Sequence, residues 1–327
     1  METVKLGVAG VGHFGRYHAL KAASTPRAQL VGVFDRDPER ARSVGWEAGA
    51  PPLPLDELIA ASDAVIVATP AEAHYEIAAR AIRAGRHVLI EKPIASTLEE
   101  ADSLAALARE HDVVLQVGHL ERFSAAHGAV SARMGKPLYL EAVRVAPFKP
   151  RGTDVSVILD LMIHDLDLIL ALVDAPIESV DAVGAAVASA HEDIANARVR
   201  FTNGCVATIT ASRISLKTER RMRIFAQSGY LAVDFAGRKL TAIVRGQGGG
   251  FPVPGMPEFS MKDMAWEDHD SLAAEHEAFY ASVLDGAPVL VDAAAGRRAL
   301  AAAIAVKEAM DRSNALVTAS GLYNPAE

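Results

Sequence analysis

The feature that most constrains the fold is a glycine-rich turn that lies between two short apolar runs near the start of the chain. Val4–Ala9 is a β-type run that leads directly into Gly10-Val11-Gly12-His13-Phe14-Gly15. A helix-like segment covers residues 16–23, and residues 29–34 form a second apolar run that ends at Asp35. Strand, turn, helix, strand and acid in this order are typical of the first half of a nucleotide-binding α/β fold.

The three glycines each meet a separate requirement of dinucleotide binding. Gly10 allows the tight turn, Gly12 lets the backbone approach a pyrophosphate, and Gly15 lets the helix pack closely on the strand. The N-terminus of the following helix points its N–H groups at the phosphate charge. We therefore predict that these glycines, with the intervening His13 and Phe14, bind a dinucleotide cofactor.

Asp35 and Arg36 bear on the choice of cofactor. Asp35 follows Gly15 by 20 residues and is placed to accept hydrogen bonds from the adenosine ribose hydroxyls. A carboxylate there repels the 2′-phosphate of NADP, so the sequence favours NAD. Arg36 weakens this argument, because an arginine at this point could pair with that phosphate or stack on adenine.

The alternation of apolar strands and helical segments continues through the first 120 residues. Apolar runs at 64–68, 87–90 and 113–117 alternate with helical patterns at 73–84 and 98–110. Continuous apolar strands fit a parallel sheet that is buried on both faces. Because ligands gather at the carboxyl ends of such strands, we predict a Rossmann domain over residues 1–120 with ligand contacts from Thr69, Pro70, Glu91, Lys92 and His119.

The pattern changes in the second half of the chain, where short β-type runs predominate. They cover residues 138–145, 180–187, 198–201, 206–209, 222–226, 231–235 and 240–244. Asn203-Gly204 is a hairpin signal, and Ser228-Gly229 marks another turn. Residues 246–257 form a loop rich in glycine and proline. These runs predict a second domain over residues 121–327.

Residues 155–173 form a helical pattern that is apolar nearly all round, as in a buried helix. Asp160, His164 and Asp167 interrupt it at i, i+4 and i+7, so they share one face, and Asp165 lies off that face. Polar groups in such a helix are paired, solvated or functional. Carboxylate and imidazole can bind a metal, but no other histidine or cysteine has a matching spacing, so no metal is expected.

Composition and charge exclude several classes of protein. The net charge of −8 and the pI near 5.8 argue against nucleic-acid binding, which needs a basic face. No run of about 18 apolar residues suggests a membrane span, and the N-terminus does not resemble a signal peptide. The single cysteine, Cys205, cannot form an intrachain disulfide and is predicted to have a packing role. These observations indicate a cytoplasmic enzyme without nucleic-acid or membrane partners.

Taken together, the motifs resemble those of the glucose–fructose oxidoreductase, inositol dehydrogenase and MocA (Gfo/Idh/MocA) family. The N-terminal motifs are the glycine-rich turn, Asp35, Thr69-Pro70 with His74, and Glu91-Lys92-Pro93, which the resemblance places after a fifth strand. The C-terminal part adds Leu272, Glu275, Phe279 and Gly286-Ala287-Pro288. The resemblance implies an α/β fold in which a Rossmann domain precedes an α/β domain with a large, mostly antiparallel open sheet.

The resemblance also implies an assembly and a set of site residues. Family members pair through the open sheet, so a homodimer or homotetramer is expected, with the last helix packed back on the Rossmann domain. The lysine of Glu-Lys-Pro, here Lys92, is expected beside the nicotinamide and the substrate hydroxyl. Asp160 and His164 match an aspartate and a histidine that the family carries four residues apart, although this chain has Met162 where the family commonly has glycine.

The resemblance implies that these residues oxidise a sugar hydroxyl with NAD. His164 is expected to accept the hydroxyl proton as the sugar carbon gives hydride to the nicotinamide, and an ordinary histidine pKa of about 6.5 suits this work. Lys92 is expected to stabilise charge on the oxygen, and Asp160 to orient the base or the substrate. The remaining histidines, His18 and His276 among them, are assigned surface or helix positions without a role.

Residues 118–123 and 151–167 are most similar to the branch of the family that oxidises the 3-hydroxyl of UDP-N-acetylglucosamine. Its ketone product feeds an aminotransferase, in lipid A or surface-polysaccharide synthesis. Arg122, Arg144 and Arg151, together with His119, are candidates for substrate binding, because arginine pairs bidentately with a pyrophosphate. Two alternatives stay open: an inositol or free-sugar dehydrogenase, and a non-catalytic NAD-binding regulator, which has no need of the catalytic residues.

Overall fold

The computed structural model describes residues 3–131, 135–149, 152–153, 155–227, 229–245, 259–266 and 269–321 of the 327-residue chain. Arg151 and the predicted loop at residues 246–257 lie outside the described residues. The chain divides into two compact units, Met1–Ser124 with Asp270–Leu300, and Ala125–His269 with Ala301–Glu327. The single domain boundary at residue 120 stays a prediction. In the division into two compact units, the first unit also includes a segment from the last third of the chain.

A five-stranded parallel sheet forms the centre of the first unit. Its strands are β1 (Val4–Ala9), β2 (Ala28–Phe34), β3 (Ala64–Val67), β4 (His87–Glu91) and β5 (Leu115–Gly118), in the spatial order β2-β1-β3-β4-β5. All four residues of β3 are buried, as a continuous apolar strand covered on both faces requires. From β1 the chain continues to β2 on one side and then returns to β3 on the other side of β1. In such folds, ligands bind at this switch point, beyond the carboxyl ends of the two strands.

Five helices follow the strands of this sheet. They are α1 (His13–Ser24), α2 (Pro38–Ala48), α3 (Leu55–Ala61), α4 (His74–Arg83) and α5 (Leu98–Glu110). Helices α2 and α3 were not predicted from the sequence. The ends of α2 nevertheless carry clear signals: the Asp37 carboxylate accepts hydrogen bonds from two backbone N–H groups of the first turn, Pro38 starts the helix, and Gly49 ends it at φ 68°. The helix is therefore defined by its ends.

An eight-stranded sheet dominates the second unit. Its strands are β6 (Pro137–Val145), β7 (Ile177–Ala185), β8 (Ile194–Phe201), β9 (Val206–Ser212), β10 (Glu219–Ala226), β11 (Gly229–Asp234), β12 (Lys239–Arg245) and β13 (Phe259–Ala265). The spatial order is β13-β12-β11-β10-β6-β9-β8-β7, and β6 with β9 is the one parallel pair among the strands described. The predicted large, mostly antiparallel sheet is confirmed, and Gly204 turns the predicted hairpin between β8 and β9 at φ 86°.

The helices of the second unit include the segment that carries Asp160, His164 and Asp167. The short α6 (Ala125–Ser131) precedes the sheet, and a π-helical turn at Ile158–Met162 leads into α7 (Ile163–Val173), which packs on β6 and β9. The predicted single helix over 155–173 is therefore wrong in its first two turns. No helix among the described residues has both the length and the apolar run that crossing a membrane requires.

The two last helices have different places in the fold. Helix α8 (Ser271–Leu284) belongs to the first unit, where its buried Phe279 and Tyr280 join Leu6, Ile66 and Leu89 in one apolar core. Burying an aromatic side chain of this size contributes about 1.5–3 kcal/mol. Helix α9 (Ala293–Ala319) begins in the first unit and ends in the second. The core of the first unit thus depends on residues from near the end of the chain.

Candidate active site

The glycine-rich turn has the geometry that a bound pyrophosphate requires. Gly10 has φ 85°, and a Cβ there would lie 2.6 Å from the Thr69 amide nitrogen. A Cβ on Gly15 would lie 1.8 Å from the carbonyl oxygen of Gly10, so a side chain would separate α1 from the turn. A Cβ on Gly12 would meet no atom within 4 Å. Packing therefore requires glycine at the first and third positions. At the second position, the backbone is open to an approaching ligand.

The N-terminus of α1 lies beside this open backbone. No described side chain caps the helix at Gly12, and its first turn holds no acidic residue. The first N–H groups of the helix can therefore donate to an anion, which the helix dipole also favours. His13 and Phe14 are exposed there, with their rings edge to face. These observations fit the phosphate end of NAD, for which the sequence analysis selected the same residues.

Asp35 is held against the glycine-rich turn from the end of β2. The Val11 N–H donates to Asp35 Oδ2 at 2.9 Å, while Asp35 Oδ1 accepts from the Asp37 N–H at 2.9 Å and from Arg40 Nη1 at 3.2 Å. Arg36 is exposed. The cation that pairs with Asp35 is therefore Arg40, which the sequence analysis missed although it lies in the first turn of the unpredicted α2.

His74 braces the two loops that follow β3 and β4. The imidazole is buried, with Nδ1 2.8 Å from the carbonyl oxygen of Pro93 and Nε2 2.8 Å from that of Thr69. Burial lowers the pKa of His74, and the two carbonyl acceptors oppose that change. This placement favours a positioning role, through Thr69 and Pro93, over the cofactor contact predicted for the histidine.

Glu91 is the last residue of β4, so Glu91-Lys92-Pro93 stands at the end of the fourth strand in chain order, and not of a fifth strand as the resemblance implies. The Lys92–Pro93 peptide bond is cis, and the Lys92 side chain is half-buried. Glu91 Oε1 lies 2.8 Å from His18 Nε2, and Glu91 Oε2 accepts from the Lys92 N–H at 3.2 Å. Burial raises the pKa of Glu91, but the His18 hydrogen bond and the Lys92 charge outweigh it and hold that pKa below its usual range.

Two histidines without an assigned role lie behind this triplet. His18 on α1 and His276 on α8 are helix residues, as predicted, but both are buried, and His18 Nδ1 lies 2.8 Å from His276 Nε2. They are 258 residues apart in the chain. No local pattern in the sequence signals such a contact.

His119 and Arg122 lie just beyond the carboxyl end of β5, where ligands of such sheets gather. His119 is buried, and its carbonyl oxygen accepts from the Arg122 N–H at 3.0 Å. The guanidinium-bearing side chain of Arg122 is half-buried. The first unit thus carries the glycine-rich turn, Asp35, Thr69, Lys92, His119 and Arg122 at strand ends.

Asp160 and His164 lie in the second unit, on either side of the junction between the π turn and α7. Both side chains are half-buried, whereas Asp165 and Asp167 are buried. A π turn takes about one residue more than an α turn, so the step from Asp160 to His164 comes closer to one complete turn. The two predicted catalytic side chains therefore project from nearly the same line along the helix.

Arg144, a candidate for the substrate pyrophosphate, is buried beneath α7. Its Nε donates to Asp165 Oδ2 at 2.8 Å and its Nη2 to Asp165 Oδ1 at 3.1 Å, a bidentate pair. Because a buried charge needs a partner, this pair favours a structural role for Arg144. It also gives Asp165, which lies off the face of Asp160 and His164, a charged partner.

A second buried ion pair, between Arg213 and Asp193, was not predicted from the sequence. Arg213 Nε donates to Asp193 Oδ1 at 2.7 Å, and Asp193 Oδ2 accepts from the backbone N–H groups of residues 187–189 at 2.6–3.0 Å. Burial raises the pKa of Asp193, but these donors and Arg213 lower it far more, well below its usual range. The carboxylate is therefore charged, and both of its oxygens accept hydrogen bonds from within the protein.

The same arginine holds the segment that precedes the π turn. Arg213 Nη1 donates to the carbonyl oxygens of Gly152 at 2.5 Å and Val155 at 2.8 Å. Gly152 has φ 72°, and a Cβ there would lie 3.1 Å from Asp160 Oδ2. The Arg213–Asp193 pair therefore fixes backbone that lies directly against the Asp160 carboxylate.

Two family models match the chain. The model described as an oxidoreductase family with an NAD-binding Rossmann fold covers residues 4–119, and that of the GFO/IDH/MocA C-terminal domain covers residues 129–232. The UDP-N-acetylglucosamine 3-dehydrogenase of Acidithiobacillus ferrooxidans is 45% identical over 316 residues, 95% of this chain and 98% of that protein. The scyllo-inositol 2-dehydrogenase (NAD(+)) of Bacillus subtilis is 27% identical, over 88% of this chain and 89% of that protein.

Solved structures of similar proteins have the same fold as this chain. A structure of the Acidithiobacillus ferrooxidans UDP-N-acetylglucosamine 3-dehydrogenase has a TM-score of 0.89 and 44% identity, and the match covers 95% of this chain and 99% of that one. A scyllo-inositol dehydrogenase from Lactobacillus casei with bound NAD(H) and scyllo-inositol has a TM-score of 0.79 over 95% of this chain and 98% of that one, at 21% identity. The second likeness concerns the fold alone.

Proposed function

The chain belongs to the Gfo/Idh/MocA family of NAD-binding oxidoreductases, and on that premise we propose that it oxidises the 3-hydroxyl of a UDP-N-acetylhexosamine to a ketone. The observation that carries the proposal is the 45% identity to a UDP-N-acetylglucosamine 3-dehydrogenase over 95% of the chain. The inositol dehydrogenases are more distant, at 27% identity or less among those compared above.

In this proposal the first unit binds the cofactor. Gly12 and the N-terminus of α1, with His13 and Phe14, receive the pyrophosphate, and Asp35 accepts hydrogen bonds from the adenosine ribose. Thr69, Pro70 and Glu91 line the strand ends beside it, with His74 as their brace. Bound NAD takes up a hydride and thereby supplies the redox chemistry. The protein contributes position and electrostatics.

Lys92, Asp160 and His164 carry the chemistry on the substrate in this proposal. As the C3–H bond breaks and the carbonyl forms, a ring nitrogen of His164 accepts the proton of the 3-hydroxyl. The Lys92 ammonium stabilises the negative charge that develops on the oxygen. The Asp160 carboxylate orients the base or the substrate. These roles come from the family resemblance, and the half-buried positions of all three side chains support them.

The remaining parts of the proposal concern binding and assembly. Arg122 and Arg151, with His119, bind the diphosphate of the substrate. The chain forms a homodimer or homotetramer through the open sheet, as the family resemblance implies. The ketone goes to an aminotransferase in lipid A or surface-polysaccharide synthesis, in the cytoplasm.

The test follows NADH absorbance after the purified protein is mixed with NAD and UDP-N-acetylglucosamine, its uronate, myo-inositol or a plain hexose. A carbonyl trap or a glutamate-dependent aminotransferase draws the ketone away. We expect turnover with the nucleotide sugar that is lost in Lys92→Ala and His164→Ala and kept in the matched exposed controls Lys136→Ala and His191→Ala. Turnover with free polyols alone would show an inositol-type enzyme instead.

A further inference from the structure

Five titratable side chains form a buried cluster behind the Glu91-Lys92-Pro93 turn. Glu91 ends β4, His18 lies on α1, and α8 contributes Glu275, His276 and Tyr280. All but Glu91 are at most 3% exposed, and the Glu91 side chain is 14% exposed. Five such groups in one interior need partners or protons that balance their charges.

Four members of this buried cluster form a hydrogen-bonded chain. Tyr280 Oη lies 3.0 Å from His276 Nδ1, His276 Nε2 lies 2.8 Å from His18 Nδ1, and His18 Nε2 lies 2.8 Å from Glu91 Oε1. If Tyr280 donates to His276, His276 to His18 and His18 to Glu91, each contact has one donor and one acceptor. The negative charge of the chain lies on Glu91.

Glu275, the fifth member, stands apart from that chain. It is fully buried, and neither carboxyl oxygen has a hydrogen-bond partner among the described residues. One of its oxygens lies within 4.8 Å of ligand atoms of both His18 and Glu91. An ionised Glu275 would be a buried carboxylate without a donor, facing the charge of Glu91, which is a strongly unfavourable state. Burial and then that charge raise the pKa of Glu275 well above its usual range.

We propose that Glu275 holds a proton at neutral pH and forms an acid–carboxylate pair with Glu91, so that the buried cluster contains one carboxylate anion, and not two, behind Lys92. Glu275 is then a positioning residue. It lets Glu91 remain the acceptor for both His18 and the Lys92 N–H, and it keeps a second anion away from the reacting centre. Only this last consequence rests on the proposed function.

The elements near α8 carry other charged and titratable groups. The loop after β4 carries Lys92, and α1 carries Lys21, which pairs with Asp270 at the start of α8. The 3₁₀ turn at Leu120–Phe123, which packs against α8, carries Glu121 and Arg122. Gln116 on β5 donates through Nε2 to the Glu275 carbonyl oxygen at 3.1 Å and so fixes the backbone of α8 there.

Infrared difference spectroscopy at neutral pH tests the protonation directly. The full-length wild type minus Glu275→Gln should show the carbonyl stretch of a protonated carboxyl, which absorbs at higher frequency than a carboxylate. Glu277→Gln, on the same helix but exposed and paired with Arg27, should show a carboxylate band in the same subtraction. A carboxylate band for Glu275 would overturn the proposal. So would a metal ion that co-purifies in a one-to-one ratio and is lost in Glu275→Gln.

A kinetic comparison tests the positioning role. Glu275→Gln keeps the charge of the cluster, so the pH dependence of kcat/KM should stay in place, whereas Glu91→Gln should shift its alkaline limb to lower pH by about one unit. An equal shift in Glu275→Gln would contradict the role. If no substrate is turned over but the protonated carboxyl is seen, the proposed function fails and the acid–carboxylate pair stands.

Discussion

Asp193→Ala should destabilise the second unit by about 3–5 kcal/mol, because it leaves the buried Arg213 without its anion. Asp193 accepts five hydrogen bonds, three from the backbone of residues 187–189 and two from Ser189 Oγ and Arg213 Nε. At about 1.5–3 kcal/mol for each hydrogen bond to a charged group, the simple sum exceeds this range, and such contributions are not additive. The expected loss of stability is therefore the range typical of breaking a buried ion pair, about 3–5 kcal/mol.

Urea unfolding followed by circular dichroism gives the free energy of unfolding, and calorimetry gives Tm. For a unit of this size, about 2–4 °C per kcal/mol predicts a fall in Tm of about 6–20 °C. The control is Asp311→Ala, which removes the anion of the exposed Lys307–Asp311 pair in the same unit and should change stability by about 0–1 kcal/mol.

The pH dependence gives a second check of the same reasoning. The pKa of Asp193 is lowered in the folded protein, so its contribution is fully present above the unfolded pKa of about 3.9 and is lost as pH falls through the folded pKa. The stability gap between wild type and Asp193→Ala should therefore be constant from pH 7 to about 5 and shrink in stronger acid. A loss of stability below about 1 kcal/mol at pH 7 would refute this reasoning, and so would a stability difference that stays constant in strong acid.

Three further predictions concern the first unit. Gly12→Ala should leave Tm unchanged, because its Cβ meets no protein atom, yet it should weaken NAD binding in titration calorimetry at least about tenfold. The control Gly128→Ala, where a Cβ also meets no atom, should leave the Kd for NAD unchanged. Asp35→Ala should lower the ratio of kcat/KM for NAD over NADP, since the repelling carboxylate is gone; an unchanged ratio would remove Asp35 from cofactor choice. His74→Ala should lower kcat/KM and Tm together, because both loop carbonyls lose their contact with the imidazole; normal kinetics at saturating NAD would argue against the brace.

The sequence predicted the dinucleotide-binding half well because its signals are local. Gly10, Gly12 and Gly15 are spaced within one turn, and Asp35 follows at a fixed distance. Most strands of the second domain were predicted from their apolar runs, whereas their arrangement in one large, mostly antiparallel sheet was implied by the family resemblance. β13 was missed because it is an edge strand with charged Lys262 and Asp263 in its centre, and edge strands commonly carry charges.

The residues that the sequence did not reveal are held by long-range contacts. His18 and His276 meet across 258 positions, and Arg213 reaches back 61 positions to Gly152. Neither contact has a periodicity or spacing that a single sequence displays. The π turn at Ile158–Met162 was read as ordinary helix, since the two differ by about one residue per turn and the apolar pattern is continuous there.

The place of α8 in the core of the first unit has a consequence for synthesis of the protein. Residues 1–124 leave the ribosome well before Phe279 and Tyr280 exist, yet those two side chains complete the apolar core around Leu6 and Leu89. At about 5–20 residues per second, the growing chain waits roughly 8–30 s with that core open. During this interval the nascent first unit presents an apolar surface to chaperones, and a fragment that ends at residue 124 would keep that surface exposed and be prone to aggregation.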